Sequence, residues 1–248
     1  MENIVRKPSA LRRVALAAML SLTMLGGAFG VAQPASAVIG GNSAGHLRGQ
    51  VQIFVNDSYK CTGTLIASNW VLTAKHCFDK TGGNVNNSYI VAGERAFGRG
   101  HLMGIAGIYR EPFQDAMLLN LWQDVPNWSR IVVGYSGAYP PINSTPAISG
   151  WGSTTRGSYT TPSTLQICGM RVTDYGIHHD LVGAGNSAMR LVSYGSGVTA
   201  TGDSGAGVHW GDKIYGIHIA DNETDVAYAL TTHFITGWIQ AVSGVGPS

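Results

Sequence analysis

A chain of 248 residues with 44% hydrophobic and only 12% charged side chains is too apolar to be disordered and long enough for one or two packed cores. The formal charge of +2 hides an uneven distribution. Arg6, Lys7, Arg12 and Arg13 against Glu2 put +3 into the first 37 residues, leaving 12 basic against 13 acidic side chains in the rest. That balance excludes the basic footprint of a nucleic-acid partner.

The first element is a secretory signal over residues 1–37. A basic region ends at Arg13, an uncharged and largely apolar run follows from Val14 to Gly30, and Ala35-Ser36-Ala37 supplies a small-residue cleavage site. A short membrane anchor fits less well, because the run falls short of the ~20 residues of a span and the cleavage signature follows it directly. Arg12-Arg13 also fits twin-arginine export, although any basic region yields such pairs by chance. The expected product is a secreted chain from Val38 to Ser248, with no membrane contact once the signal is removed.

Short apolar runs separated by turn residues occupy that body. Val51–Val55, Gly63–Ile66, Trp70–Ala74, Tyr89–Ala92, Leu102–Tyr109 and Met117–Leu121 come first. Ala147–Gly150, Leu165–Val172, Ala188–Val192, Gly205–His209, Ile214–Ile219 and Val226–Leu230 follow. Twelve strands without intervening helices, in a chain with 34 glycines, predict an all-β barrel or sandwich. A parallel α/β sheet needs a helix after nearly every strand. Asp124, Pro126 and Asn127 mark a seam between the two sets, within Trp122–Arg130. One helix is predicted at the end, where Phe234, Ile235, Trp238, Ile239 and Val242 repeat with helical spacing and Thr231 or Thr232 is placed to cap it.

Three segments carry chemistry in chain order. Leu72-Thr73-Ala74-Lys75-His76-Cys77 holds a histidine, Gln114-Asp115-Ala116-Met117-Leu118-Leu119 an aspartate before an apolar run, and Thr201-Gly202-Asp203-Ser204-Gly205-Ala206-Gly207 a glycine-flanked serine. Serine is a weak nucleophile unless a base lies within hydrogen-bond reach, and the base needs a carboxylate to orient it. Taken singly, each residue reads as a structural histidine, a turn aspartate or a loop serine. Their conjunction and order point to a hydrolytic triad. The remaining histidines (His46, His101, His178, His179, His209, His218, His233) lack zincin spacing with a glutamate. His178-His179-Asp180 reads as a solvated turn rather than a metal site. No metal and no cofactor are expected. Three cysteines permit at most one internal bridge. Asn-x-Ser/Thr triplets begin at Asn87, Asn127, Asn143 and Asn222 and receive no glycan assignment.

From about residue 37 onward the chain resembles the trypsin/chymotrypsin family of serine proteases. The resemblance rests on the three segments above and on Ile148-Ser149-Gly150-Trp151-Gly152. It implies an all-β fold of two six-stranded antiparallel β-barrels with a C-terminal α-helix: a first barrel over about 38–125, a second over about 126–230 and a helix over about 232–243. The implied nucleophile is Ser204, with His76 as general base and then acid and Asp115 as the acceptor that fixes the imidazole tautomer. The implied oxyanion hole is the backbone N–H pair of Gly202 and Ser204. The resemblance also pairs Asp203 with the α-amino group of a mature end at Val38, since Val38-Ile39-Gly40-Gly41 has the family's pattern, so that signal cleavage after Ala37 leaves no pro-segment. It joins Cys61 to Cys77, closing a 16-residue step and contributing about 3 kcal/mol in the chain-entropy model. Cys168 is left as a buried free thiol.

Departures from the family cluster at the substrate pocket. Val198 stands at the expected floor, Ala200 replaces a bridged cysteine, and Ile219-Ala220-Asp221 replaces a Ser-Trp-Gly wall, which removes a hydroxyl that supports the triad aspartate. An uncharged floor implies apolar or small side chains over Arg and Lys. Lys75 beside the histidine reads as a surface variation. Implied partners are polypeptide substrates and a proteinaceous inhibitor, acting on a monomer. Two rival readings stand beside it. An α/β-hydrolase esterase needs Gly-x-Ser-x-Gly and the order Ser, Asp, His, but Ala206 and Ala138 stand where the motif around Ser204 or Ser136 wants glycine. A catalytically inactive relative used for binding is disfavoured by intact His76, Asp115, Ser204 and Gly202, and kept open by the altered wall.

Overall fold

The computed structural model describes residues 38–177, 187–195 and 197–248. The expected signal over 1–37 and the His178-His179-Asp180 turn lie outside the described residues.

Six strands close the first barrel. β1 (Asn42–Ser43) precedes them. β2 (Gln50–Val55), β3 (Ser58–Ala67), β4 (Trp70–Thr73), β5 (Ser88–Ala92), β6 (His101–Arg110) and β7 (Met117–Leu121) pair antiparallel in the closed order β2-β3-β4-β7-β6-β5. After a short parallel bridge strand, β8 (Gly134–Tyr135), the second barrel follows. β9 (Ala147–Gly150), β10 (Gln166–Ile177), β11 (Ser187–Ser193), β12 (Gly207–Trp210), β13 (Lys213–Asp221) and β14 (Val226–Thr231) run in the order β10-β11-β14-β13-β12-β9. Pairing of β9 with β10, as in Cys168 opposite Ile148, closes the ring. The fold is therefore the pair of six-stranded antiparallel barrels that the resemblance implies. All twelve expected strands form. β1 and β8 were not foreseen, because two residues are too few to show a period.

Burial explains the patterns. In β2, Val51, Ile53 and Val55 are all fully buried at period-2 spacing, as a strand lining a barrel requires. In β7, Met117, Leu118 and Leu119 are all buried, so both faces of that strand are covered. One apolar cluster runs through both barrels and the terminal helix, uniting Leu72 and Leu118 with Ile217 and Leu230, and with Ile235 and Ile239. A second cluster inside the second barrel contains Ile148, Met170, Leu191 and Val208, and Val38 is buried within it. Polar groups also join the barrels. Gln50 Nε2 donates to Ser149 Oγ at 2.5 Å and lies 3.2 Å from His209 Nε2. Burial, then the charges of Arg48 and His46, lowers the His209 pKa to about 3 and keeps the ring neutral.

Two helices have bearing on the site. α1 (His76–Asp79) is a single turn after β4. α2 (Thr232–Ser243) ends at Gly244, whose φ of 74° supplies the left-handed C-terminal cap. Thr231 occupies the N-cap position with extended dihedrals, but neither threonine caps through its side chain. Thr232 Oγ1 donates instead to Ser136 O at 2.6 Å, because the helix start is buried against that loop. Phe234 is also not part of the buried stripe. It is exposed and packs edge-on against Tyr139.

Candidate active site

Three separate elements bring the candidate residues together. His76 opens α1, which is pinned from both sides: Phe78 is fully buried, and Cys77 is disulfide-bonded to Cys61 on β3, with Cα atoms 6.1 Å apart. Asp115 lies in the loop between β6 and β7. Glu111 shapes that loop, its Oε2 accepting the Phe113 N–H at 2.6 Å and the Gln114 N–H, while Glu111 N donates to Ala116 O at 3.0 Å. Lys75 Nζ donates to Glu111 O at 2.9 Å, so Lys75 ties the histidine's segment to the aspartate's loop rather than standing as a surface variation. Ser204 sits in the turn before β12.

The resulting line is continuous. His76 Nδ1 lies 2.7 Å from Asp115 Oδ2, His76 N donates to Asp115 Oδ1 at 2.9 Å, and His76 Nε2 lies 2.9 Å from Ser204 Oγ. A carboxylate only accepts, so the hydrogen-bond pattern assigns the proton to Nδ1 and leaves Nε2 to accept from the serine hydroxyl. Burial of Asp115 raises its pKa, but the hydrogen bonds and charge of His76 and the charge of Lys75 outweigh burial and hold the carboxyl below its usual range. Ile219 is buried without a hydroxyl.

The turn around Ser204 has nearly all its backbone polar groups occupied. Asp203 N donates to Ala200 O at 2.9 Å, and Gly202 has φ +102°, the sign a type II turn demands at that position and that glycine adopts without strain. The Thr201 carbonyl accepts the Ser153 N–H at 2.7 Å. The Gly202 carbonyl accepts Tyr59 OH at 2.7 Å and Thr62 Oγ1 at 3.1 Å. The Ser204 carbonyl accepts Thr62 N at 3.1 Å. Fixing the Thr201 carbonyl on Ser153 turns the Gly202 N–H of the same planar peptide to the opposite side. Among the described residues, neither the Gly202 nor the Ser204 N–H donates to a protein group.

Asp203 is fully buried. Its carboxylate accepts Gly152 N at 2.9 Å and Ala200 N at 3.0 Å. Burial nevertheless pushes its pKa up to about 6, against the lowering effect of those two N–H groups and of His218. Val38 is buried in the adjoining cluster, and Ile39 pairs with Val198 through the backbone. Cys168 is a free buried cysteine, and burial raises its pKa. Cys61, His76 and Cys77 cluster at metal-ligand distances, but the two sulfurs are spent in the disulfide.

An open cleft of about 280 Å³ runs across the site, with Lys60, Lys80 and the disulfide on the His76 side and Ala200, Thr201 and Asp221 on the other. Of the expected pocket residues only Asp221 lines it. Val198 and Ile219 are buried, and Ala220 is half-buried. The Asp221 carboxylate is already engaged: Oδ1 accepts Glu223 N at 3.0 Å, and Oδ2 lies 3.0 Å from the buried His218 Nε2. That second contact is electrostatic, since His218 Nε2 makes no aligned hydrogen bond. Tyr59, Thr62, Glu111 and Glu223 escaped the sequence reading. Their roles depend on contacts across long stretches of chain, and only the acidic residue before Pro112 gave a local turn signal.

Comparisons with known proteins bear on the family and the fold. A family model described as Trypsin matches residues 38–239. Snake venom serine protease BPA of Bothrops jararaca is 28% identical over 229 residues, covering 83% of this chain and 86% of its own length. Serine protease 1 of Rattus norvegicus is 27% identical over 253 residues, covering 91% and 98%. Among solved structures, neuropsin, a serine protease expressed in the limbic system of mouse brain, superposes with a TM-score of 0.68 at 19% identity, over 82% of this chain and 99% of its own. A mutant of human heparin binding protein (CAP37) gives the same TM-score at 18% identity, over 85% and 100%. At such identities the solved structures speak to the fold alone.

Proposed function

The chain belongs to the trypsin family, and from that premise we propose that it is an exported serine endopeptidase that hydrolyses peptide bonds through an acyl-enzyme. The observation that carries this reading is the unbroken hydrogen-bond line from Asp115 through His76 to Ser204. Ser204 Oγ attacks the scissile carbonyl carbon while His76 Nε2 takes its proton. Asp115 holds the tautomer and stabilises the imidazolium. The unpartnered N–H groups of Gly202 and Ser204 receive the developing oxyanion. His76 then returns the proton to the leaving amine, and water, activated by the same base, releases the acid and regenerates Ser204.

Export and processing complete the reading. Cleavage after Ala37 frees the α-amino group of Val38, and the buried Asp203 carboxylate is the anion it pairs with. Three of the relatives are named snake venom serine proteases, in keeping with an extracellular enzyme. Polypeptides are the substrates, with apolar or small side chains on the acyl side of the cleaved bond, and the enzyme acts as a monomer.

A fluorophosphonate probe tests the chemistry. Native protein is expected to be labelled at Ser204 and to hydrolyse peptides. Heat-denatured protein and Ser204→Ala are expected to do neither, with turnover reduced by about 10⁶ on the scale of triad enzymes. Native, processed protein that resists the probe and leaves peptides intact would remove this reading.

A further inference from the structure

Glu223 is absorbed by no step of that mechanism, yet its contacts reach the nucleophile's turn from another loop. It lies between β13 and β14 with φ 51°, a left-handed conformation that few residues other than glycine adopt. Its carboxylate is divided between two loops. Oε1 accepts both the Thr201 N–H at 3.2 Å and the Thr201 hydroxyl at 2.9 Å. Oε2 accepts the Gly157 N–H at 2.7 Å, and the Glu223 carbonyl accepts Arg156 Nε at 2.9 Å. The four bonds join the turn before Ser204, the loop after Trp151 and the loop after β13.

Thr201 is the hinge of the peptide that carries the Gly202 N–H. Swinging that N–H out of the cleft requires the Thr201–Gly202 peptide to rotate, which changes ψ of Thr201 and φ of Gly202. The Ser153 N–H opposes this rotation at the Thr201 carbonyl. Glu223 fixes the frame against which that rotation turns: by holding the Thr201 N–H and hydroxyl it sets φ and χ1 of the residue, leaving the Ser153 bond only ψ to restrain. Hydrogen bonds to an ionised carboxylate are about twice as strong as neutral ones, and two on one residue leave it little rotational freedom. The Gly202 N–H, one of the two donors of the turn left without a protein acceptor, then needs no reorganisation when negative charge develops in front of it.

We propose that Glu223 is a positioning residue of the oxyanion hole, acting through Thr201 to hold the Gly202 N–H in the cleft. This rests on the peptidase reading above and adds to it a part played by a loop remote in sequence from Ser204. The competing role is a plain loop clamp through Gly157 and Arg156, which adds stability but leaves the turn indifferent.

The two roles separate in steady-state kinetics and in binding by two inhibitors on the processed protein. A peptide aldehyde adds Ser204 Oγ to its carbonyl carbon and presents a tetrahedral oxygen to the hole. A reduced-bond peptide of the same sequence has no carbonyl there and senses only the rest of the cleft. Glu223→Ala is expected to lower kcat by about 10–10², below the 10²–10³ of losing a donor outright, with KM within about threefold. Aldehyde affinity is expected to fall by the same factor as kcat, and reduced-bond affinity to stay put. Glu223→Gln, whose amide oxygen still accepts from Thr201, is expected to recover most of kcat. Thr201→Val, which removes only the hydroxyl, is expected to give a smaller loss that vanishes in the Glu223→Ala background.

A Glu223→Ala enzyme within twofold of wild type in kcat overturns the proposal and leaves the peptidase reading standing. So does an equal loss of aldehyde and reduced-bond affinity. A processed wild-type chain without turnover overturns both. If Glu223→Ala fails to fold, the Gln and Val variants decide. Unchanged kcat in Thr201→Val, or a Glu223→Gln that loses aldehyde and reduced-bond affinity alike, overturns the proposal.

Discussion

The surroundings of Asp115 and Asp203 show what decides the state of a buried carboxylate beside the same serine. Asp115 accepts the backbone and ring N–H groups of one histidine, retains some exposure, and has Lys75 nearby. Its partners outweigh the burial, so it stays ionised far below neutral pH. Asp203 also accepts two N–H groups, but it is fully buried. There burial wins over those donors and the charge of His218, and its pKa rises to about 6. The balance between burial and the groups around it, not the number of donors, separates the two aspartates. Under the proposed processing, the α-amino group freed at Val38 is the cation expected to reverse that balance at Asp203.

Breaking the Asp115 side should have the largest effect. Asp115→Asn is expected to lower kcat by about 10⁴, because the amide donates toward the ring and stabilises the wrong imidazole tautomer. Ile219 offers no hydroxyl, and among the described residues both carboxylate oxygens of Asp115 meet His76, one at its ring and one at its backbone N–H. Stopped assays on a peptide ester and a peptide amide should show comparable losses. Turnover within tenfold of wild type would mean that another group orients His76.

The Asp203 side should respond less, and through its missing cation. A processed chain that begins at Val38 is expected to be active. One extra residue before Val38 displaces the amine and is expected to lower kcat by roughly 10²–10³, the scale of losing an oxyanion donor. Edman sequencing together with kcat on both chains checks this, and equal activity contradicts the amine–Asp203 pairing.

Stability against pH separates the two aspartates further. In the uncut chain, the folded pKa of Asp203 lies at about 6 against a usual 3.8, so the folded state binds the proton more tightly than the unfolded one. Stability is then lost as pH rises through that interval, by about 3 kcal/mol between roughly pH 4 and 6. Asp115 has the opposite sign: its stabilisation is present above the unfolded pKa and lost as pH falls through the lowered folded one. Urea midpoints of uncut Ser204→Ala should therefore decline from pH 4 to pH 7, and Asp203→Asn should abolish the decline. An amine freed at Val38 and paired with Asp203 is expected to titrate above its usual pKa of about 7.7–8.0, so that in the cut chain the loss moves to alkaline pH. Identical pH profiles for cut and uncut chains would show that Asp203 finds no partner in Val38.

Much of this was legible in the sequence, for reasons that differ by residue. The twelve strands declared themselves through alternation and turn residues. The expected bond between Cys61 and Cys77 is present in the structure, and Cys168 is free and buried. His76, Asp115 and Ser204 carried local contexts that identify them together, and the structure brings them into one hydrogen-bonded line. The supporting contacts were not legible. Glu223 meets Thr201 from 22 residues away and Gly157 from 66, and Tyr59 meets Gly202 from 143. Such pairings follow from barrel closure and leave no periodic or spacing signal. Lys75 was misjudged for the same reason: its partner, Glu111, lies 36 residues on. Positions counted from Ser204 do not locate the pocket, because the cleft as folded is bounded by side chains from both barrels.

The smallest effect concerns which side chain the acyl side of the cleft accepts. Val198 is buried outside the cleft lining and Ala200 within it carries no charge, so neither offers a partner to a guanidinium, and an unpaired buried cation is costly. Asp221 is the one carboxylate on that side of the cleft lining, and it is the residue able to reverse the preference. Its Oδ1 is held by Glu223 N and its Oδ2 stands against His218, so an arginine reaching it has to displace contacts already made. Leucyl and alanyl substrates are therefore expected to exceed the arginyl one in kcat/KM by about tenfold, equivalent to ~1.4 kcal/mol. Asp221→Gly should leave the leucyl value nearly unchanged and lower the arginyl value further, since the remaining rim attraction goes with it. Parallel kcat/KM measurements on the four substrates with alanine, leucine, phenylalanine and arginine at that position decide the matter. An arginyl substrate ranked first, and demoted by Asp221→Gly, would mean that the carboxylate gives up His218 and Glu223 to read the substrate.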